Sequence, residues 1–344
     1  SGNRQENAEV SADQKAVQIL TGESKDRPST DRVLGMMWDA ENDILKYNIR
    51  RSIENEFDHP IPIQITKRMI LSHVNSIYDP MGLIAPFTVK AKILLRKLWA
   101  GSPKLDWDDP VPDLIRKEWI QFFHETNLLK DLQFKRCLKP SEAIGDPILV
   151  VFSDGSGQAY GTVAYAQWKL SNGSYQPSLI TAKNRIAPIK IVDIVRLELC
   201  GAVTGKRLRS FILKESRYQF EKVVHIVDSE IVKAMIARES NGFNTFVANR
   251  IGEILESTSP SEWYWIDGDK NIADWLTRGK SPLDLGIESE WQNGPDFLKL
   301  PCEAWPLVSQ PNVKELPERL KKPFLVAATE VKVQETLIQR INIK

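Results

Sequence analysis

The stretch "ILVVFSDGSGQAYG", Ile148 to Gly161, runs a string of apolar residues straight into a carboxylate at Asp154 and follows it with glycines. An ionised carboxylate at the edge of an apolar core is costly unless a cation or hydrogen-bond donors meet it there. The stretch therefore marks either a tight turn or a held metal ion. It is not a dinucleotide-binding loop: after Gly155 and Gly157 the third glycine is needed where Tyr160 stands, and "AYGTVAYAQW" alternates like a strand where a helix is required. Nor is it the paired-aspartate turn of an acid protease, because "DGS" reverses the order Asp-Ser-Gly or Asp-Thr-Gly.

Working outward, "PILVVFSD", "AYGTVAYAQWKL" and "SYQPSLITAK" predict three strands in two hairpins, the second turning at "NG". "IVRLELCGAVTGKRLRSFILKE" predicts a helix with Leu197, Thr204, Leu208 and Phe211 at three- and four-residue steps. "KVVHIVD" predicts a buried strand, "SEIVKAMIARE" and "TFVANRIGEILES" two helices, "SEWYWID" a fifth strand, and "NIADWLTRG" a short helix ended by Gly279. The order is strand, strand, strand, helix, strand, helix, helix, strand, helix. Upstream, "RVLGMMWDAENDILKYNI" predicts a strand hairpin around "DAEND". "ITKRMILSHVNSIYDPMGLIAPFTVKAKILLRKLWA" predicts a helical hairpin turning at "YDPMGL", its second helix opened near Pro86. "DLIRKEWIQFFHETNLLKDL" predicts a core-facing helix carrying Leu114, Trp119, Phe122, Phe123 and Leu128. Turn-rich "KPSEAIGDP" sets a border, so the organisation expected is a polar segment over 1–31, a mainly helical region over 32–142, an α/β domain over 143–280 and an extension or linker over 281–344.

Composition narrows the class. The 344 residues suffice for two or more domains, and 46 basic against 45 acidic residues leave no global field. The local exception lies between Ile65 and Ala100, where Lys67, Arg68, Lys90, Lys92, Arg96 and Lys97 face only Asp79, a net +5. That run is either a solvated helix face or a phosphate-gripping surface. Three scattered cysteines, Cys137, Cys200 and Cys302, fit neither a disulfide framework nor a zinc ribbon, and a reducing, intracellular setting is expected. No apolar run is long enough to span a bilayer and the polar start is no signal peptide, so no membrane partner is expected. The abrupt start and stop suggest a piece of a longer chain.

Four carboxylates occupy suggestive places: Asp154 at the end of the first strand of the α/β domain, Glu198 near the start of its first helix, Asp228 at the end of its fourth strand, Asp274 in its last helix. Strand ends and helix starts are where α/β sheets keep their sites. Acids gathered there repel one another unless divalent cations bridge them, and hard oxygen donors without His or Cys suit Mg²⁺ or Mn²⁺. Two such ions about 4 Å apart make a phosphoryl-transfer clamp. Each acid also has a plain structural reading. Asp154 could cap the turn, Glu198 could answer the helix dipole, Asp228 could cap "SEIVKAMI" with Ser229 as rival, and Asp274 could be an exposed helix residue.

These segments carry a family resemblance. "RVLGMMWD", "TKRMILSHVNSIYDPMGLIAPFTVKAKILLRKLW", "LDWDDPVP", "FSDGSGQAYGTVAY", "RLELCGAV", "TFVANRIGEI", "NIADWLTRG" and "WQNGPDFLKLPCEAWP", in order from about residue 32 to 306, resemble the Pol polyprotein of BEL/Pao-type LTR retrotransposons. The resemblance implies thumb- and connection-like segments followed by an RNase H-like domain, a five-stranded mixed sheet flanked by helices. It implies a ribonuclease H that cleaves the RNA strand of RNA:DNA hybrids during reverse transcription, with two Mg²⁺ or Mn²⁺ ions held by Asp154, Glu198, Asp228 and Asp274. Asp154 would bridge the ions, Glu198 and Asp228 hold one side, Asp274 the other. Ser156, Asn184 and Ser229 are candidates for 2′-hydroxyl contacts and Lys183, Arg185 and Arg196, with the basic hairpin, for phosphate. Implied partners are the hybrid and the reverse transcriptase palm and integrase portions of the polyprotein, in the cytoplasm or a virus-like particle. The chain departs from the family pattern at Gly155, where Ala is common, at Val227, where Thr is common, and at Ile272, where Pro is common. "YWIDGDKNIAD" lacks the histidine that many cellular RNases H place before the last acid, and no "YxDD" polymerase motif is present. Competing implications are a non-catalytic, template-holding or domesticated copy and an aspartic-type retrotransposon peptidase.

Overall fold

The turn at "DAEND" closes because the Asp39 carboxylate accepts from Asn42 N and from Lys46 Nζ at 3.0 Å. In the computed structural model, which describes residues 30–33, 36–47, 64–101, 104–190, 192–310, 313 and 315–320, that turn joins two of three short antiparallel strands. They are β1 (Thr30–Val33), β2 (Met36–Asp39) and β3 (Ile44–Tyr47). The expected polar segment over 1–31 lies almost wholly outside the described residues. The helical hairpin follows as α1 (Lys67–Ser76), capped by Thr66, and α2 (Ala85–Ala100), with Pro86 in its first turn. Next come α3 (Asp113–Asn127) and β4 (Gln133–Lys135), which pairs with β3 to complete a sheet of order β1-β2-β3-β4. On α3, Trp119, Phe122 and Phe123 are buried as expected, but Leu114 is 76% exposed. Five residues of helix put it about 140° from Trp119, off the apolar stripe.

The second sheet has the expected strand and helix order. β5 (Ala143–Gly155), β6 (Ala159–Leu170) and β7 (Tyr175–Ile186) are consecutive and antiparallel. Then α4 (Ile194–Glu215) returns the chain to β8 (Lys222–Val227), parallel to β5. After α5 (Glu230–Ala237) and α6 (Thr245–Leu255), β9 (Trp263–Trp265) pairs parallel with β8, giving the order β7-β6-β5-β8-β9. A short 3₁₀ turn, Ile272–Asp274, leads into α7 (Trp275–Arg278), and Gly279 ends it at φ +88°. This is an RNase H-like α/β fold, a mixed five-stranded sheet flanked by helices, preceded by a largely helical region. Phe211 of α4 lies on the expected stripe yet is 53% exposed, with Lys183 Nζ 5.0 Å above its ring at the β7 edge.

One apolar core runs through both regions, from Met36 and Phe87 through Phe152 and Tyr165 to Trp291 and Trp305. The border expected at residue 143 is therefore no break in packing. The Met81 carbonyl accepts from Ala182 N (3.1 Å) and Thr181 Oγ1 (2.7 Å), so the "YDPMGL" turn pairs with β7. Gly82 stands at φ +69°, where a Cβ would meet the Ala182 carbonyl oxygen at 1.9 Å. Residues 281–310, within the stretch expected as an extension or linker, are packed: Trp291 of α8 (Glu290–Asn293) and Leu298 are fully buried. Tyr165 Oη donates to the Trp291 carbonyl (2.8 Å) and Gln167 Nε2 to those of Leu298 and Leu300 (2.7 Å each). Separate anchors spaced by Pro and Gly carry no periodicity, which is why this segment resembles a linker in sequence.

The feature that positions the site is the closeness of α4 to the end of β5. A Cβ on Gly201 would lie 2.4 Å from the Asp154 carbonyl oxygen, one on Gly205 2.4 Å from Ser153 Oγ, and one on Gly155 2.3 Å from Glu198 N. Backbone meets backbone at Gly155 and Gly201, and helix backbone meets the Ser153 hydroxyl at Gly205, because three side chains are missing. Gly201→Ala is expected to destabilise the fold by about 1–3 kcal/mol through overpacking. Gly252→Ala, on an exposed helix position with open space around it, is expected to stabilise by about 0.5–1 kcal/mol. Urea denaturation of both variants checks the pair.

Candidate active site

Four elements converge on the carboxyl end of β5. The apolar strand carries Asp154 to the sheet edge at 7% exposure. The turn beyond it does not need that carboxylate: Ser156 N donates to the Ala159 carbonyl (2.8 Å) and Ser156 Oγ accepts from the amides of Gln158 and Ala159. Asp154 instead accepts from Thr277 Oγ1 on α7. Burial raises its pKa, and Asp274 adds to the rise, while the Thr277 hydroxyl, the Gly155 amide and the Arg278 charge oppose it.

Glu198, brought in by the glycine contact, is pushed up to about 7, chiefly by burial and further by Asp154 and Asp193, against the Ser229 hydroxyl. Asp228 directly follows β8, whose last residue, Val227, pairs in parallel with Ser153 of β5. The rival cap wins at α5, where Ser229 Oγ accepts from Val232 N at 3.3 Å, leaving the Asp228 carboxylate free of that duty. It too is pushed up to about 7, by burial first, then by the charge of Asp154, with Asn271 opposing and Glu198 adding. Asp274 is half-buried and accepts from Arg278 Nε at 2.5 Å. The four acids thus sense one another, yet each is engaged by a protein partner of its own: Thr277, Ser229, Asn271 and Arg278. Consistent with that, no three Asp, Glu, His or Cys side chains among the described residues stand together as a ready ligand set. The donor chemistry nonetheless fits a divalent cation: three desolvated carboxylates that repel one another, with Arg278 the cation lowering the pKa of Asp154.

Several site residues escaped sequence reasoning. Thr277 and Arg278 lie inside the quoted "NIADWLTRG", and so does Asn271, whose Nδ2 donates to the Ser153 carbonyl (3.0 Å) and ties that segment to β5. Trp265 Nε1 donates to the Asp228 carbonyl at 2.8 Å and holds the end of β8. For Asn271, Thr277 and Arg278, presence in the quoted motif was the available signal.

The structure distributes the nucleic-acid candidates unevenly. In the hairpin, Arg68 pairs with Asp108 (2.8 and 3.0 Å), Lys90 with Glu125 and Lys97 with Glu118 (2.7 Å). Buried Lys67 donates to the Leu105 carbonyl (2.7 Å), Lys92 to Asn184 Oδ1 (2.5 Å), and Arg96 to the carbonyls of Gly157 and Pro188. The net +5 is largely answered by partners elsewhere in the chain. Asn184 also donates to the Ala85 carbonyl (3.0 Å) and so staples β7 to α2. Lys183 and Arg185 are exposed on β7 and, with Lys92 and Arg207, line a cavity of about 530 Å³ between the hairpin and α4. Ser229 faces Glu198, Ser156 stays within its turn, and Arg196 points away to Glu318.

Residues 66–229 match the family described as the Pao retrotransposon-like RNaseH-like domain. The match agrees with the resemblance carried by the quoted segments, crosses residue 143, and holds Asp154, Glu198 and Asp228 but not Asp274. No curated protein matched the sequence. Among solved structures, the chain is similar to the N-terminal RNase H domain of rv2228c from Mycobacterium tuberculosis, fused to maltose binding protein, at 14% identity over 38% of this chain and 91% of that one, TM-score 0.29. It is similar to RNase H1 of the halophilic archaeon Halobacterium salinarum NRC-1, at 9% identity over 37% and 89%, TM-score 0.25. It is also similar to the foamy viral protease-reverse transcriptase dRH in complex with double-stranded DNA, at 10% identity over 70% and 38%, TM-score 0.41.

Folded Glu198 and Asp228 keep their protons up to about pH 7, whereas unfolded they lose them near 4.5 and 3.8. The folded state therefore binds more protons between those limits, and stability falls as pH rises from about 4 to 7. His225, held neutral down to about pH 3 by burial and by Arg209, acts in the opposite sense, removing stability as pH falls below its unfolded value of about 6.5. Thermal melts without divalent ions are expected to show Asp228→Asn more stable than the parent at pH 8 by a few degrees, with a flatter alkaline limb. Excess Mg²⁺ is expected to raise the melting temperature of the parent at pH 8 more than that of the variant.

Proposed function

We propose that this chain is a divalent-metal-dependent endonuclease that cuts the RNA strand of an RNA:DNA hybrid during retrotransposon reverse transcription. The observation that carries the reading is the placement of Asp154, Glu198 and Asp228 at the carboxyl end of β5 and on the elements packed against it, where each is desolvated and Glu198 and Asp228 are pushed up to about 7, chiefly by burial and further by the neighbouring acids. The family match over 66–229 supports it.

Asp154, Glu198, Asp228 and Asp274 would hold Mg²⁺ or Mn²⁺, two ions in this reading, which when bound supply activation of water and stabilisation of the leaving oxygen. The chain's own contribution is placement. The β5 core fixes Asp154, the α4 glycines fix Glu198, and the Trp265 and Asn271 bonds fix the segments bearing Asp228 and Asp274. Thr277 orients the Asp154 carboxylate and Arg278 that of Asp274. Thr277 is thus a positioning residue. Choice of the RNA strand falls to groups that sense the 2′-hydroxyl, with Ser156, Asn184 and Ser229 as the candidates. On this reading the work is done in the cytoplasm or a virus-like particle, beside the palm and integrase portions of the same polyprotein.

A non-cleaving, template-holding role is the competing reading, and one observation favours it: each acid is engaged by its own protein partner rather than by a common point. A labelled RNA:DNA hybrid incubated with Mg²⁺ separates the two. Cleavage is expected, with Asp154→Asn and Asp228→Asn each slower by at least about a thousandfold, ~4 kcal/mol of barrier, and hybrid binding retained. Thr277→Val is expected to lose about tenfold. Full activity in either aspartate variant would remove the carboxylates from the chemistry, and absence of cleavage by the parent would leave the template-holding role.

A further inference from the structure

The last acid of the site is carried by chain that cannot hold its own position. Asp274 leads into α7, a single turn of helix. One turn closes too few hydrogen bonds to offset the entropy of fixing it, so its place is set by whatever it is seated on. On the sheet side the seat is made by an absent side chain: a Cβ on Gly161 of β6 would lie 2.8 Å from Leu276 Cβ and 3.2 Å from Asn184 Cβ. Leu276 and Thr277 are fully buried there. Asn184 Nδ2, bonded to the Ala85 carbonyl at 3.0 Å, also reaches that of Leu276 at 3.5 Å.

The opposite side of the seat is the opening turn of α2. Gly279, which ends α7 at φ +88°, is packed so closely on it that a Cβ would meet Lys90 Cγ at 2.6 Å and the Pro86 carbonyl oxygen at 3.4 Å. Lys280 N donates to the same carbonyl at 3.0 Å. Trp275 stacks on Trp291 at 6.3 Å between ring centroids, and Trp291 Nε1 donates to the Leu83 carbonyl at 2.7 Å. The turn itself is shaped by Asp79, whose carboxylate accepts from Leu83 N (2.9 Å), Ile84 N (3.0 Å) and Tyr47 Oη (2.6 Å). Leu83 to Lys90 thus bear on both ends of α7, from a region that supplies none of the four acids.

We infer that the opening turn of α2 is a positioning element for the cleavage centre. Through α7 it sets where Thr277 holds the Asp154 carboxylate and Arg278 that of Asp274, with Gly279 as the joint and Asp79 as the residue that fixes the turn. Because the joint has no room for even one methyl group, a movement of the turn is passed on to α7 rather than absorbed. Gly279 and Asp79 act through α7 and are positioning residues, not catalytic ones. The inference deepens the hybrid-cleaving reading and rests on it for what the positioned acids do.

The test uses the full chain and two readouts that need no turnover: amide hydrogen exchange over residues 271–280 in EDTA, and Mn²⁺ affinity by calorimetry without nucleic acid. Gly279→Ala is expected to speed exchange over 271–280 by about tenfold, with β5 and β8 unchanged, and to weaken Mn²⁺ binding by about tenfold. Adding Lys90→Ala removes the Cγ that the new methyl group would strike, and is expected to recover part of both losses although it breaks the pair with Glu125. A role in stability alone predicts a further loss instead. Asp79→Asn is expected to move both readouts in the same direction as Gly279→Ala, from the hairpin side, and substitutes for it if the latter fails to fold. With labelled hybrid and Mg²⁺, Gly279→Ala is expected to lower kcat by about tenfold at unchanged KM. Unchanged exchange over 271–280 in both variants, or exchange that speeds equally in every strand, would overturn the inference. A parent that binds Mn²⁺ but cuts no hybrid would overturn the proposed activity, while exchange and Mn²⁺ affinity still decide the coupling of the turn to α7.

Discussion

The contact on which the rest depends is the direct approach of the α4 backbone to the end of β5. Gly155, Gly201 and Gly205 remove the side chains that would otherwise hold helix and strand a full layer apart. The consequence is electrostatic. With the layers so close, Glu198 arrives at the buried side of Asp154, where water is scarce and a second carboxylate is felt strongly. Asp228 joins by register, because β8 runs parallel to β5 and ends beside it. A site made by backbone packing of this kind has little play, and its geometry is set by the fold rather than by loops.

That geometry carries a built-in tension. Desolvated acids of like charge raise one another's affinity for protons, and the fold tolerates them by giving each a donor of its own. Thr277 and Arg278, one turn of α7, serve Asp154 and Asp274 together, while Ser229 serves both as the cap of α5 and as a donor to Glu198. The same few residues therefore link secondary-structure capping to the charge state of the acids.

Much of the fold was legible because periodicity survives in long elements. The alternation in "AYGTVAYAQW", the "NG" turn and the spacing in α4 each reflect a local rule, and the four acids stood out by falling at strand ends and helix starts. What escaped was set by partners distant in sequence. The basic hairpin was visible as charge, but its answering acids Asp108, Glu118 and Glu125 lie on other elements, so the count of +5 overstated the open surface. Asn184, a candidate for a 2′-hydroxyl contact, also staples β7 to α2, a partner that its place in the sequence does not reveal. Phe211 shows the limit of spacing alone, which finds a stripe but not whether anything covers it, and Leu114 falls off the stripe altogether. Trp291, Leu298 and Trp305 pack without any repeat, one anchor at a time, and a segment without repeat has the texture of a tether.

Both outer strands of the larger sheet are bonded by chain from outside the five-strand order. The Met81 carbonyl binds along β7, and Val308 exchanges two backbone hydrogen bonds with Trp265 on β9, each 2.9 Å. An uncovered strand edge is a template for another chain to add itself. Excising residues 143–280 would strip both contacts and most of the residues sharing their core, leaving a sheet open at each side. The stretch that keeps both contacts runs from the helical hairpin to Val308, well beyond the five strands themselves.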